Sequence, residues 1–139
     1  MQVTGRRWPP VAAALAALLA MIAWLTLRDG TPEEFESRTR LAACGTVEQA
    51  QLEAAPATEA EQCLDRALRA GTGGELVVNG MTDEGDPVYA YYRAVPGKSG
   101  LELFGDSSRD GFAADDWTYS ECPDAVGVRA LGPCVSRAI

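Results

Sequence analysis

The residues with the most chemistry to offer are seven carboxylates and one arginine. Asp83, Glu84 and Asp86 form one acidic stretch, Asp106, Asp110, Asp115 and Asp116 a second, and Arg109 lies inside the second. Hard oxygen ligands of this kind suit calcium, with Asp83, Asp86, Asp106 and Asp110 as the natural set. Their spacing departs from an EF-hand loop, and aspartates in turns also serve simply to bend the backbone. Arg109, flanked by Asp106 and Asp110 and opposite Asp86, fits a guanidinium that locks loops together or recognises a partner's carboxylate. Asp83 or Glu84 with Asp86 has the composition of an acid–base carboxylate pair. No nucleophile signature accompanies that pair. The chain has no histidine, which removes Ser-His-Asp and Cys-His catalysis and the histidine zinc sites. A non-enzymatic role without a cofactor is the expectation.

These loops need strands to hold them. Glu75–Met81, Val88–Val95, the stretch around Leu101, Leu103 and Phe104, and Trp117–Ser120 carry strand signals, and Gly97-Lys98-Ser99-Gly100 is a turn. Val126-Gly127-Val128 adds a possible short piece. Short connections imply an antiparallel meander. In such a sheet the start of the second strand lies beside the end of the third, which puts both acidic loops at one end. Alternation places Tyr89, Tyr91 and Arg93 on one face and Val88, Ala90, Tyr92 and Ala94 on the other. Tyr92 and Trp117 are expected in the core. Tyr89 and Tyr91 are expected on a partly open face suited to a protein contact.

Thr58-Glu59-Ala60-Glu61 is a capping box, Gly71 a C-cap, and Ala60, Cys63/Leu64 and Ala67/Leu68 one apolar face. This is the main helix. A second capping box at Thr31–Glu34 predicts a short helix lying against the domain, ended by Gly45. Thr46–Pro56 is ambiguous: its alanines and glutamates favour a helix closed by Pro56, while Gly45-Thr46-Val47 also suits an extended piece. Gly71–Gly74 is a flexible link; it lacks the Gly-Lys-Ser/Thr of a phosphate loop. The predicted fold class is α+β: an antiparallel meander of three to five strands covered by one main helix and preceded by a single transmembrane helix.

That transmembrane expectation rests on Trp8–Leu27, an uncharged run with Arg6 and Arg7 before it. Its length as a helix is roughly 30 Å, about a bilayer core, and the positive-inside rule puts the N-terminus in the cytoplasm. A cleaved signal peptide, with secretion, is the alternative. The implied organisation is 1–30 as cytoplasmic stub and anchor, 31–57 as juxtamembrane helix and connector, and 58–139 as the α+β extracytoplasmic domain, with 31–57 packed on it. Leu41-Ala42-Ala43-Cys44 spells a lipobox, but charged residues separate it from the apolar run, and a disulfide is the simpler use of Cys44.

Four cysteines without a C-x-x-C pair favour two disulfides outside the cytoplasm. Three pairings are possible; the sequential one, Cys44–Cys63 and Cys122–Cys134, is the expectation. The net charge is −8. Arg6, Arg7 and Arg28 against Asp29 give residues 1–30 a net of +2, leaving −10 on the remainder. Such a domain is repelled by nucleic acid.

Thr82-Asp83-Glu84-Gly85-Asp86-Pro87, then Asp106-Ser107-Ser108-Arg109-Asp110-Gly111-Phe112, Trp117-Thr118 and Cys122, together with Cys44-Gly45 and Cys63-Leu64, resemble a pattern of small uncharacterised exported bacterial proteins, often lipoproteins. The resemblance implies a small α+β exported domain and no reaction. The functional expectation is a membrane-anchored, non-enzymatic binding module. Its partner would be another exported or membrane protein, met through Asp83, Glu84, Asp86, Asp106, Arg109 and Asp110 with Tyr89 and Tyr91. A calcium-binding module and a carboxylate enzyme are the alternatives.

Overall fold

The computed structural model describes residues 10–26 and 30–139. The chain divides into two units, Met1–Thr31 and Pro32–Ile139. In the first, α1 runs from Pro10 to Thr26. Its 17 residues rise roughly 25 Å, short of the ~30 Å of a bilayer core. Among the described residues no helix is long and apolar enough to cross a membrane, so the expected transmembrane element finds no support there. Trp8, Pro9 and Leu27 of the predicted span lie outside the described residues.

In the second unit, α2 (Glu33–Glu36) leads into β1 (Ala43–Glu48), α3 (Gln49–Glu53) and α4 (Glu59–Ala70). Five further strands follow: β2 (Gly74–Met81), β3 (Pro87–Ala94), β4 (Leu101–Asp106), β5 (Trp117–Cys122) and β6 (Val135–Ala138). They form one six-stranded sheet in the order β1-β2-β3-β4-β5-β6. β2 to β6 are an antiparallel meander, whereas β1 pairs parallel to β2. The expected three-to-five-stranded, purely antiparallel sheet is thus replaced by a mixed one. The reason lies in the connection: parallel neighbours need a crossover, and α3 and α4 supply it. Residues 126–128 form no strand; Gly127 makes only an isolated bridge to Ala130.

α4 forms where its local chemistry dictates. The Thr58 hydroxyl accepts from the Glu61 N–H at 3.2 Å, and the Glu61 carboxylate accepts from the Thr58 N–H at 2.7 Å. Gly71, at φ +66°, ends the helix in the left-handed region. Leu64 and Ala67 enter the core with Val47, Leu76, Val78, Ala94, Leu101, Cys122, Ala125 and Val128. α4 packs on β1 and β2, closely enough that a Cβ at Gly74 would lie 2.9 Å from that of Ala67.

Both disulfides are formed. Cys44–Cys63 ties β1 to α4, and Cys122–Cys134 ties the end of β5 to the segment before β6. Two disulfides fit an extracytoplasmic protein. Replacing Cys44 and Cys63 together by alanine is expected to lower the unfolding free energy by about 2–4 kcal/mol, read from urea denaturation. An unchanged midpoint would mean that α4 and β1 hold together without their covalent tie.

α2 corrects a second expectation. It is one turn long, starts at Glu33 and has Pro32 in the cap position without a side-chain cap bond. Gly45 does not end a helix; it lies within β1.

Candidate functional site

The register Tyr89↔Asp106 brings the β2–β3 turn and the β4–β5 loop to the same end of the sheet. Each loop is shaped by its own polar groups. The Thr82 hydroxyl accepts from the Asp86 N–H at 3.1 Å, and the Thr82 N–H donates to the Asp86 carbonyl at 2.9 Å. Asp106 Oδ1 accepts from the Ser108 N–H at 3.0 Å and from its hydroxyl at 2.6 Å. Asp110 Oδ1 accepts from the Phe112 N–H at 2.9 Å. Asp106 and Asp110 therefore form turns.

Asp83, Glu84 and Arg109 are exposed and make no hydrogen bond or ion pair among the described residues. The expected clasp of Arg109 with Asp86, Asp106 and Asp110 does not form. The two aspartates spend an oxygen each on their own loop, and the guanidinium stays in solvent. Among the described residues no group of three or more carboxylates is placed to hold a metal ion. Sequence reasoning missed the apolar side chains here: Phe112 is 82% exposed and Met81 70%. At this end, Leu52, Val78, Val88, Ala90 and Tyr92, together with Tyr89 and Ser107, line a groove of about 360 Å³.

Tyr91 lies elsewhere in character. It shares a sheet face with Glu75, Arg93, Glu102, Phe104, Trp117 and Tyr119. Trp117 is buried, as expected, but on the Tyr91 face rather than beside Tyr92. The pairing Asp106↔Trp117 continues Tyr89↔Asp106 and so fixes that side. Phe35 of α2 covers this face, with ring centroids 4.6 Å from Tyr91, 5.3 Å from Phe104 and 4.6 Å from Trp117. The Arg38 guanidinium sits 3.6 Å from the Phe35 ring centroid. Burial raises the Tyr91 phenol above its ordinary pKa. Trp117 is 4% exposed, and its indole N–H finds no acceptor among the described residues. A buried donor left so costs about 1–3 kcal/mol.

Beside the aromatic rings runs a network of charges. Arg93 is 3% exposed. It donates to Glu75 at 3.0 Å, to Glu102 at 2.9 Å and to the Thr39 carbonyl. Arg38 grips the two Glu75 oxygens at 3.1 and 3.2 Å. Lys98 pairs with Glu102, which holds its ammonium above the ordinary pKa. The signal for this network is present in the sequence, since Glu75, Arg93 and Glu102 are charged residues near one end of strands that are largely apolar or aromatic. Only the register shows that they meet.

No protein-family model matches the chain, and no curated protein or solved structure matches it.

Proposed function

We propose that the protein is an exported, non-enzymatic interaction module that meets its partner through the sheet end bearing the two acidic loops. The observation that carries this reading is the exposure of Phe112 and Met81 beside Asp83, Glu84 and Arg109, charges that have no partner within the domain. Large exposed apolar side chains are the anchors of interfaces, and the surrounding charges steer and select. The motifs that resemble exported bacterial domains, Thr82–Pro87 and Asp106–Phe112, lie on this same end. The partner surface is apolar with a basic border, complementary to a domain of net negative charge. Asp106 and Asp110 shape the loop that presents Phe112, Tyr89 pairs with Asp106 where that loop leaves the sheet, and Tyr91 belongs to the aromatic face.

A photo-crosslinking amino acid at position 112 tests this in cells that make the protein. One discrete adduct is expected from position 112 and from position 81, and none from position 126, whose valine is also exposed. The same adduct from all three positions, or none from 112 and 81, would overturn the reading.

A further inference from the structure

We propose that the aromatic face of the sheet is a second recognition site, for an acidic peptide segment carrying a phenylalanine, and that residues 32–38 occupy it in cis. The strap Pro32-Glu33-Glu34-Phe35-Glu36-Ser37-Arg38 is itself such a segment. Its phenylalanine ring enters a box made by Tyr91, Phe104 and Trp117. Its Glu34 pairs with Arg137 of β6, whose guanidinium lies over the Tyr119 ring at 4.9 Å. Arg93 and Lys98 on this face are taken up by Glu75 and Glu102, so the cation left to meet an incoming carboxylate is Arg137, the residue that Glu34 now engages.

Two observations mark the strap as a replaceable occupant. α2 is a single turn with no buried residue, so Glu33–Glu36 open more easily than the core elements, while Arg38 on Glu75 and the Thr39 carbonyl on Arg93 keep the strap's C-terminal end attached. The box is also incompletely satisfied while the strap fills it, because the buried Trp117 N–H has no acceptor. A competing segment that supplies an oxygen there gains a hydrogen bond that the strap does not make. The strap, tethered to its own site, competes at an effective concentration in the millimolar range. The site is therefore closed to weak ligands and open to those that outbid the tether.

The test uses the full chain and a fluorescent peptide copying residues 31–40. The wild-type protein is expected to bind this peptide at least about tenfold more weakly than Phe35→Ala, because the tethered copy blocks the site. Glu34→Lys loosens the strap while keeping the ring, and is expected to shift binding in the same direction. It serves as the second variant if Phe35→Ala fails to fold by circular dichroism. A peptide with alanine in place of phenylalanine should not bind, and Arg137→Glu in the Phe35→Ala background should weaken binding several-fold. Equal binding by wild type and both variants, or binding that ignores the peptide's phenylalanine, would overturn the proposal. Binding of N-acetyl-phenylalanine amide as tight as that of the peptide would assign the box to small aromatic molecules instead. A concentration-dependent dimer of the wild-type protein, lost in Phe35→Ala, would assign it to strap exchange between copies.

Discussion

Replacing Arg93 by methionine is expected to lower the unfolding free energy by about 3 kcal/mol, the lower part of the range for breaking a buried ion pair. The side chain is 3% exposed and stands between two carboxylates, Glu75 and Glu102. Methionine keeps much of its volume but leaves both acids facing a site without a cation. The loss stays near the lower end because Glu75 retains Arg38 and Glu102 retains Lys98. Adding Glu102→Gln to Arg93→Met should cost less than the two single changes together, since one of the stranded charges is then gone. Urea denaturation of the four proteins measures this. A single-variant loss below about 0.5 kcal/mol, the range of ordinary surface changes, would mean that water reaches the network and that Arg93 is not holding the strap side of the sheet.

The second large effect depends on pH. Glu61 is 0% exposed, and its carboxylate accepts from Arg129 Nε at 2.5 Å while capping α4 through the Thr58 N–H. The Arg129 guanidinium, aided by Thr58, holds the carboxyl at about 2, below its usual 4.5. A folded-state pKa below the unfolded one adds stability that is fully present above the unfolded value. That stability disappears as pH falls from about 4.5 toward about 2. The contribution at neutral pH is on the order of 2–3 kcal/mol. Glu61→Gln retains the shape and part of the capping box but not the charge. It should be less stable than wild type by that order at pH 7, with the gap narrowing between pH 4.5 and pH 2. Chemical denaturation at pH 7, 4 and 2.5 checks this. A gap that stays constant across the acid range would assign the loss to the cap geometry rather than to the Glu61–Arg129 pair.

The same residue shows why some of this protein is legible from its residues and some is not. Thr58 and Glu61 announce the start of α4 because a capping box is written within four adjacent positions, and Gly71 announces its end. The role of Glu61 toward Arg129 is invisible at that range. It arises from a contact between residues far apart in the chain, made when the segment after β5 folds back beside α4. Cys44–Cys63 and Cys122–Cys134 were accessible because neighbouring cysteines in the chain are also neighbours in space here. Arg109 shows the opposite case. Its flanking aspartates read as partners, but each carboxylate has a nearer donor in its own turn.

By itself, the sequence determined the main helix, the β2–β5 meander, the Gly97–Gly100 turn and the shared end of the two acidic loops. Caps and turn residues act over a few positions through local backbone bonds, and alternation names the face that must be buried without naming what buries it. Only the tertiary structure decided that Ala43–Glu48 pairs parallel to β2, that Val135–Ala138 extends the sheet, and that Trp117 joins Tyr91 under Phe35. Each of these is a choice of strand partner, of sheet side or of covering segment. Short mixed stretches such as Ala43–Glu48 satisfy helix and strand propensity about equally, so the backbone bonds offered by β2 settle the outcome.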